Sequence, residues 1–292
     1  MQHTHRSVSS SKLVATALVA TALFATALFV GCTPTVVDAD RRVALDARVA
    51  DRDHKGLAYD PARGTFAVLS PNWGLAFVDV EGALVDELPY SNDGSGEGFT
   101  RDAFGDVAID DDGIVYVLAA SEGFRYDPAV GNLEQHFCVL PEADPAGPIP
   151  DEPLPPPETL TYQENDALTF VDGTLIAAPR FYDGMNAAPT ESLLSSYRAS
   201  DGEPTGIANI TVHGLNVRAL AATREVIYAL SDGDVHTFSR EGEHTGTVSL
   251  PVDAESEAMV IVDDALVVAD GTELAYFPLR TIDLARQGFD VR

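Results

Sequence analysis

The feature that most constrains the fold is the stretch from residue 106 to residue 140, which contains four short strand-like segments in a row. It opens with DVAID, whose apolar side chains alternate, and continues through the turn DDDG to the apolar run IVYVLAA. EGFRYD and LEQHFCVL follow, separated by the turn residues PAVGN. Apolar runs bounded by Gly, Pro, Asp and Asn predict strands joined by tight turns. The stretch therefore predicts a small antiparallel sheet of four strands.

Rough copies of this unit occur before and after it. Their first strands begin near residues 56, 106, 166, 218 and 257, roughly 40 to 60 residues apart, which is the spacing of propeller and solenoid repeats. The sequence thus predicts an all-β fold, a β-propeller of five blades with four strands each. Six blades remain an alternative if residues 177–214 contain another irregular unit, and a two-sheet sandwich is the other alternative.

The fifth unit ends one strand short, and a candidate for the missing strand lies at the other end of the domain. Residues 42–49, RVALDARV, alternate as a strand but have no neighbouring partner in sequence. Propellers avoid exposed sheet edges by closing the ring. We therefore expect strand 42–49 to complete the fifth blade.

Across residues 42–280 this pattern resembles the general type of NHL-like and gluconolactonase-like propellers, although no WD dipeptide or other family motif is present. The resemblance implies a scaffold that serves binding, docking and catalysis alike. Gluconolactonase-like enzymes hold a metal ion in the central channel, which keeps an enzymatic function open for this chain.

The N-terminus predicts export. Residues 1–12 carry two basic residues and no acidic residue, and 13–31 form an apolar run that ends in a small residue, as in secretory signal peptides. Phe29, Val30, Gly31 and Cys32 resemble the lipobox of bacterial lipoproteins. The resemblance implies a signal peptide over 1–31, a lipid-modified Cys32, a tether over 32–41 and a propeller domain over 42–292, anchored to a bacterial membrane on its periplasmic or outer face.

The charge of the chain excludes some partners. With 46 acidic against 18 basic residues, the formal net charge is −28, so the surface repels nucleic acid. An acidic surface of this kind suits either a saline environment or a cationic ligand or basic partner. We expect a monomer whose membrane contact is the lipid on Cys32.

Aligning the five first strands places one polar position at their start. Its members are Gly56, Asp106, Asp166, Arg218 and Glu257, with His54 and Lys55 beside them. In a propeller these positions surround one mouth of the central channel. Asp106, Asp166 and Glu257 could hold Ca²⁺, which takes several oxygen ligands; alternatively, the column accepts hydrogen bonds from the backbone of the connecting loops.

Two functions follow from this column. The first is a binding or interaction module that takes an unidentified protein or small molecule at the channel mouth. The second is a metal-dependent hydrolase or lyase with Asp106, Asp166 and Glu257 as ligands and His54 or Lys55 as acid or base. The sequence leaves open whether the protein is catalytic.

Overall fold

The computed structural model describes residues 34–71, 73–89, 105–119, 122–138, 163–182, 189–207, 210–289 and 291. Within these ranges, the side chains of residues 119, 138, 163–166, 179–182, 189–191, 211 and 213 lie outside the description. The signal peptide, Cys32 and the proline-rich segment 141–158 also lie outside the described residues.

Five sheets form the blades, each with four antiparallel strands; in the first four blades these strands follow sequence order from the inside outward, and in the fifth the outermost strand comes from the N-terminus. Blade 1 contains β3 (Gly56–Asp60), β4 (Thr65–Ser70), β5 (Gly74–Val78) and β6 (Leu84–Pro89). Blade 2 contains β7 (Asp106–Ile109), β8 (Val115–Ala119), β9 (Glu122–Asp127) and β10 (Asn132–Cys138). Blade 3 contains β11 (Gln163–Val171), β12 (Thr174–Tyr182), β13 (Pro189–Arg198) and β14 (Ile210–His213). Blade 4 contains β15 (Ala219–Ala222), β16 (Val226–Ser231), β17 (Asp234–Ser239) and β18 (His244–Ser249). Blade 5 contains β19 (Met259–Val262), β20 (Ala265–Asp270), β21 (Glu273–Pro278) and β2 (Arg41–Ala44).

The innermost strands close into a ring. Each of β3, β7, β11, β15 and β19 contacts the innermost strands of both neighbouring blades, and β19 of the last blade contacts β3 of the first. The fold is therefore a five-bladed β-propeller, as predicted, and the six-bladed and sandwich alternatives are wrong.

The apolar core is divided among the junctions between blades. Between blades 5 and 1, for example, Phe66 and Val68 pack with Val267 and Leu274, and all four side chains are buried. Equivalent clusters occupy the other four junctions. Fully burying a side chain of this size contributes about 1.5–3 kcal/mol. Packing between blades thus stabilises the ring without a single central core.

The N-terminal strand closes the ring as predicted, but it is shorter than expected. β2 pairs antiparallel with β21, so that Val43 faces Leu274, and it ends at Ala44. A one-turn helix, α1 (Ala47–Ala50), follows, because Oδ1 of Asp46 accepts a hydrogen bond from the backbone N–H of Arg48 at 2.9 Å. The alternation of residues 42–49 therefore serves two elements: Val43 is buried in the sheet and Val49 beneath the helix.

Two further elements were not predicted. β1 (Thr35–Val36) adds a fifth, parallel strand to the outer edge of blade 4 by pairing with β18. A helix, α2 (Leu279–Arg286), follows β21 and buries Ile282 and Ala285 against the core between blades 4 and 5. Both elements cover sheet surface that would otherwise face solvent.

Neither helix of the described chain is a candidate membrane span, since none there is both long and apolar enough to cross a bilayer.

Candidate functional site

The predicted polar column lies at one mouth of the channel, but its members come from two kinds of position. Gly56 and Asp106 are the first residues of β3 and β7, whereas Arg218 and Glu257 lie just before β15 and β19, in the connecting segments. Asp166 lies within β11 beside a register shift between Asn165 and Ala167, and its side chain is outside the description. The column therefore mixes strand positions with loop positions.

Asp106 is buried, and the contacts of its carboxylate are with backbone. Oδ1 accepts from the N–H of Val107 at 2.7 Å, and Oδ2 accepts from the N–H of Leu168 in blade 3 at 2.6 Å. Burial raises the pKa of Asp106 well above its usual range, while the amides of Leu168, Val107 and Leu57 oppose this and the charge of Glu257 adds to it. Asp106 thus joins blades 2 and 3 through hydrogen bonds to the backbone.

Blade 1 approaches the same carboxylate closely. A Cβ atom at Gly56 would clash with Oδ1 of Asp106 and come within 2.8 Å of the backbone nitrogen of Val107. Only glycine leaves room for this contact. The glycine in the column is therefore explained by the buried carboxylate beside it.

Glu257 is also nearly buried, but its carboxylate contacts cations. Oε1 accepts from Nη1 of Arg218 at 2.9 Å, and Oε2 accepts from Nζ of Lys55. The exposed fractions of the side chains are 8% for Glu257, 13% for Arg218 and 31% for Lys55. Three blades, the fourth, fifth and first, thereby meet at one charge cluster, Lys55–Glu257–Arg218.

Three exposed carboxylates surround this charge cluster. Asp53 lies 3.6 Å from Nζ of Lys55, and Glu255 lies 3.2 Å from Nη1 of Arg218. Asp232, in the turn after β16, lies 4.0 Å from Nε of Arg218. Each of the three side chains is at least 70% exposed. We call Asp53, Asp232 and Glu255 the acidic rim.

His54 lies beside the mouth and contacts the chain's own backbone. Its Nε2 is 2.9 Å from the carbonyl oxygen of Val49, the last buried residue of α1. Burial lowers the pKa of His54, and the hydrogen bond to Val49 and the charge of Asp53 only partly offset this. The neutral imidazole therefore connects α1 to the mouth of the channel.

The described side chains favour neither a calcium site nor another metal centre at this mouth. Among them, no three His, Cys, Asp or Glu residues are placed to hold a metal ion. The oxygens of Asp106 accept backbone amides, those of Glu257 accept cations, and Lys55 and Arg218 repel a further positive charge. A metal ion would have to displace these partners.

The opposite end of the channel opens into a cavity of about 290 Å³. Its walls are formed by inner-strand residues that follow the column, including Leu57, Val107 and Leu168, and Asp111 and Asp263 lie at its edge. This end of the channel thus combines apolar side chains with carboxylates, whereas the other end carries the charge cluster and the acidic rim.

A larger groove of about 810 Å³ lies between blades 2 and 3. The hydroxyl of Tyr116 lies 3.1 Å from both Oδ2 of Asp110 and the carbonyl oxygen of Ala199, and Nε2 of His136 lies 2.7 Å from the same carbonyl. Burial raises the pKa of Tyr116. These polar groups bond to one another across the two blades.

The sequence predicted that Lys55, Arg218 and Glu257 lie near one another. The structure shows Glu257 in direct contact with both Lys55 and Arg218. Sequence reasoning missed Asp53 and Asp232 as neighbours of the column. Asp232 lies in the β-turn SDGD and adopts a positive φ of 52°, so the sequence marks it only as a turn residue.

Comparison with known proteins gives structural similarity only: no family model and no curated protein matches the chain. A gluconolactonase of Xanthomonas campestris is 14% identical with a TM-score of 0.44, covering 86% of this chain and 99% of that one. Regucalcin of Agrobacterium tumefaciens, a calcium-binding protein, is 14% identical with a TM-score of 0.44, covering 84% and 97%. The extracellular domain of a putative hybrid two-component system of B. thetaiotaomicron is 14% identical with a TM-score of 0.42 over 77% of this chain. This chain spans 27% of the length of that domain. Similarities this low transfer no activity to the chain.

Proposed function

We propose that the protein is a binding module whose channel mouth takes a basic ligand, such as a cationic segment of a partner protein. The observation that carries the proposal is the charge balance at the mouth. Four described carboxylates, Glu257 and the acidic rim, surround the two cations Lys55 and Arg218.

The arrangement of these charges assigns them different roles. Glu257 offsets one of the two positive charges from inside, and the three rim carboxylates bring the four acids and two bases to a net charge of −2 on the exposed side of the mouth. The net charge of −28 adds a long-range attraction for positive charge, which increases the rate of encounter. Hydrogen-bonded ion pairs to the rim would then fix the partner over the channel.

A metal-dependent hydrolase or lyase is the less well-supported function. It needs free carboxylate oxygens at the mouth, and the described oxygens of Asp106 and Glu257 are engaged by the protein. Calorimetric titration of the full-length protein with CaCl₂ separates the two functions. We expect no saturable binding; a site that disappears in Asp166→Ala would favour the metal-dependent enzyme.

Binding of a basic ligand is tested with a fluorescein-labelled hexa-arginine peptide by fluorescence anisotropy at physiological ionic strength. The rim variant Asp53→Asn/Asp232→Asn/Glu255→Gln removes three exposed negative charges that would form ion pairs with the peptide. We expect this variant to bind the peptide about tenfold more weakly than wild type. The matched control Asp111→Asn/Asp263→Asn/Asp264→Asn changes the net charge equally at the other end of the channel. An equal loss in both variants would show non-specific attraction and contradict a site at the mouth.

We further propose that the protein is exported and anchored to a bacterial membrane through lipid on Cys32. The support is the signal-like segment 1–31 and the lipobox-like residues before Cys32. Several acyl chains give durable anchoring, whereas one is marginal. The wild-type protein should partition into the detergent phase of Triton X-114 and Cys32→Ser into the aqueous phase; a Cys32→Ser protein that stays with the detergent would contradict the anchor.

A further inference from the structure

The face of blade 4 that packs toward blade 3 holds two histidines on its outer two strands, away from the channel. His236 lies on β17, directly opposite Thr247 of β18, and His244 lies on β18, opposite Phe238. Side chains at alternate positions of a strand share one face, so His236 and Phe238 lie on the same side of the sheet. The two imidazoles are therefore neighbours, with ring centroids 5.6 Å apart.

Both imidazoles direct a nitrogen at the same atom. Nδ1 of His236 lies 3.2 Å from Oγ1 of Thr247, and Nε2 of His244 lies 3.3 Å from it. A hydroxyl has one hydrogen, so it can donate to only one of two neutral imidazoles, and the other must donate to it. Two ring nitrogens thus converge on one hydroxyl, which can donate its hydrogen to only one of them.

The surroundings form a cavity with an apolar wall. It has a volume of about 380 Å³ and lies between blades 3 and 4, with Ile210, Val212 and Leu215 contributed by blade 3 and Phe238 by blade 4. Gly242, in the turn between β17 and β18, admits Ile210, since a Cβ atom there would clash with the end of that side chain. Packing across the blade junction therefore fixes the hairpin that carries both histidines.

We propose that His236 and His244 form a binding site for a divalent first-row transition metal ion, Zn²⁺ or Cu²⁺. Imidazole nitrogen suits these ions, which need nitrogen ligands about 2.0–2.1 Å from the metal in the case of zinc. An ion between the rings would be bound by Nδ1 of His236 and Nε2 of His244, each in the tautomer that leaves that nitrogen without a hydrogen. The exposed ring of His244 can turn toward it.

The remaining coordination positions face the cavity and would be taken by water, so the site is open and not a closed structural site. The apolar wall limits solvent on one side, which strengthens the metal's interaction with its ligands. This site is independent of the channel mouth, because none of its residues belongs to the charge cluster or the acidic rim.

The test is isothermal titration with ZnCl₂ of residues 33–292, which contain the whole propeller and exclude His3, His5 and Cys32. We expect saturable binding of one ion per chain. Binding should be weakened at least ~10-fold in His236→Asn and in His244→Asn, because removing a metal ligand should reduce the affinity at least as much as removing a residue that only orients a ligand. Thr247→Val, which removes the hydroxyl and keeps the shape, should bind within a few-fold of wild type. His136→Gln, which removes an imidazole outside the cavity, is the matched control and should bind as wild type does.

A second measurement identifies the ligand atoms. Electron paramagnetic resonance of the Cu²⁺-loaded wild-type protein should show hyperfine splitting from two nitrogens, reduced in either histidine variant. The proposal is overturned if wild type shows no saturable binding, or if binding survives in His236→Asn/His244→Asn, which would place the ion on the acidic surface. An equal loss in His136→Gln, or a loss of tenfold or more in Thr247→Val, would also reject the two imidazoles as the principal ligands.

Discussion

Two buried carboxylates at the channel mouth, Asp106 and Glu257, were aligned with each other in the sequence, yet they lie at different positions of their blades and perform different tasks. Asp106, at the start of a strand, accepts hydrogen bonds from backbone amides and joins blades 2 and 3. Glu257, in the segment before a strand, bonds to the side chains of Lys55 and Arg218 from blades 1 and 4. The type of partner thus depends on whether the residue lies in the sheet, near amides, or in the loop, near flexible cations.

The largest loss of stability is expected at Asp106, because its hydrogen-bond partners are backbone amides that cannot turn toward another acceptor. Asp106→Ala leaves two buried N–H groups without an acceptor, which costs roughly 2–4 kcal/mol even after the relief of removing a buried carboxylate. The midpoint of urea denaturation of the full-length protein measures this loss.

Asp106→Asn is the control, because it keeps one carbonyl acceptor and should lose less. An Asp106→Ala protein as stable as wild type would show that the hydrogen bonds between blades 2 and 3 contribute nothing.

A smaller loss is expected at the other carboxylate. Glu257→Gln removes the charge partner of Lys55 and Arg218, but both side chains still reach the exposed acidic rim, so we expect about 1–3 kcal/mol. Urea denaturation again measures the change.

The double variant Arg218→Gln/Glu257→Gln tests whether the two side chains act as a pair. Its loss should be smaller than the sum of the two single losses, because the second substitution removes a group that the first has already left unpaired. Strict additivity would mean that the ion pair is not coupled and that the two carboxylates do not differ as described.

The smallest effect concerns pH. Burial holds the pKa of His54 below its ordinary 6.5, so the unfolded chain takes up a proton before the folded chain does. The stabilisation from neutral His54 is therefore complete above pH 6.5 and declines as the pH falls below it. The measurement compares the melting temperatures of wild type and His54→Gln between about pH 8 and about pH 5, the range in which His titrates. The two melting temperatures should converge toward the acidic end. A constant difference across the range would exclude this contribution of His54.

Periodicity in the sequence predicted the blades, because each strand has to place apolar side chains against the next blade. The turn residues and the alternation in residues 106–140 recur in the other units, and the observed strands follow them closely. The alternation of residues 42–49 predicted ring closure, yet it did not show that Asp46 would cap a helix, since a strand and a short helix can both bury Val43 and Val49.

The column was predicted as a set of positions, and the sequence could not assign its contacts. Lys55 and Glu257 are 202 residues apart in the chain, and their contact exists only because the ring brings the last blade against the first. Asp232 carries the signature of a turn, so its place in the acidic rim had no signal in the sequence.

The sequence by itself predicted an all-β propeller of five blades with six left open, the acidic composition and the region where polar residues gather, because these depend on local periodicity and composition. Only the tertiary structure decided that Asp106 bonds to backbone, that Glu257 bonds to two cations, and that His236 and His244 face one hydroxyl. These contacts join residues from different strands or blades, and their geometry depends on strand register and ring closure, which no local pattern encodes.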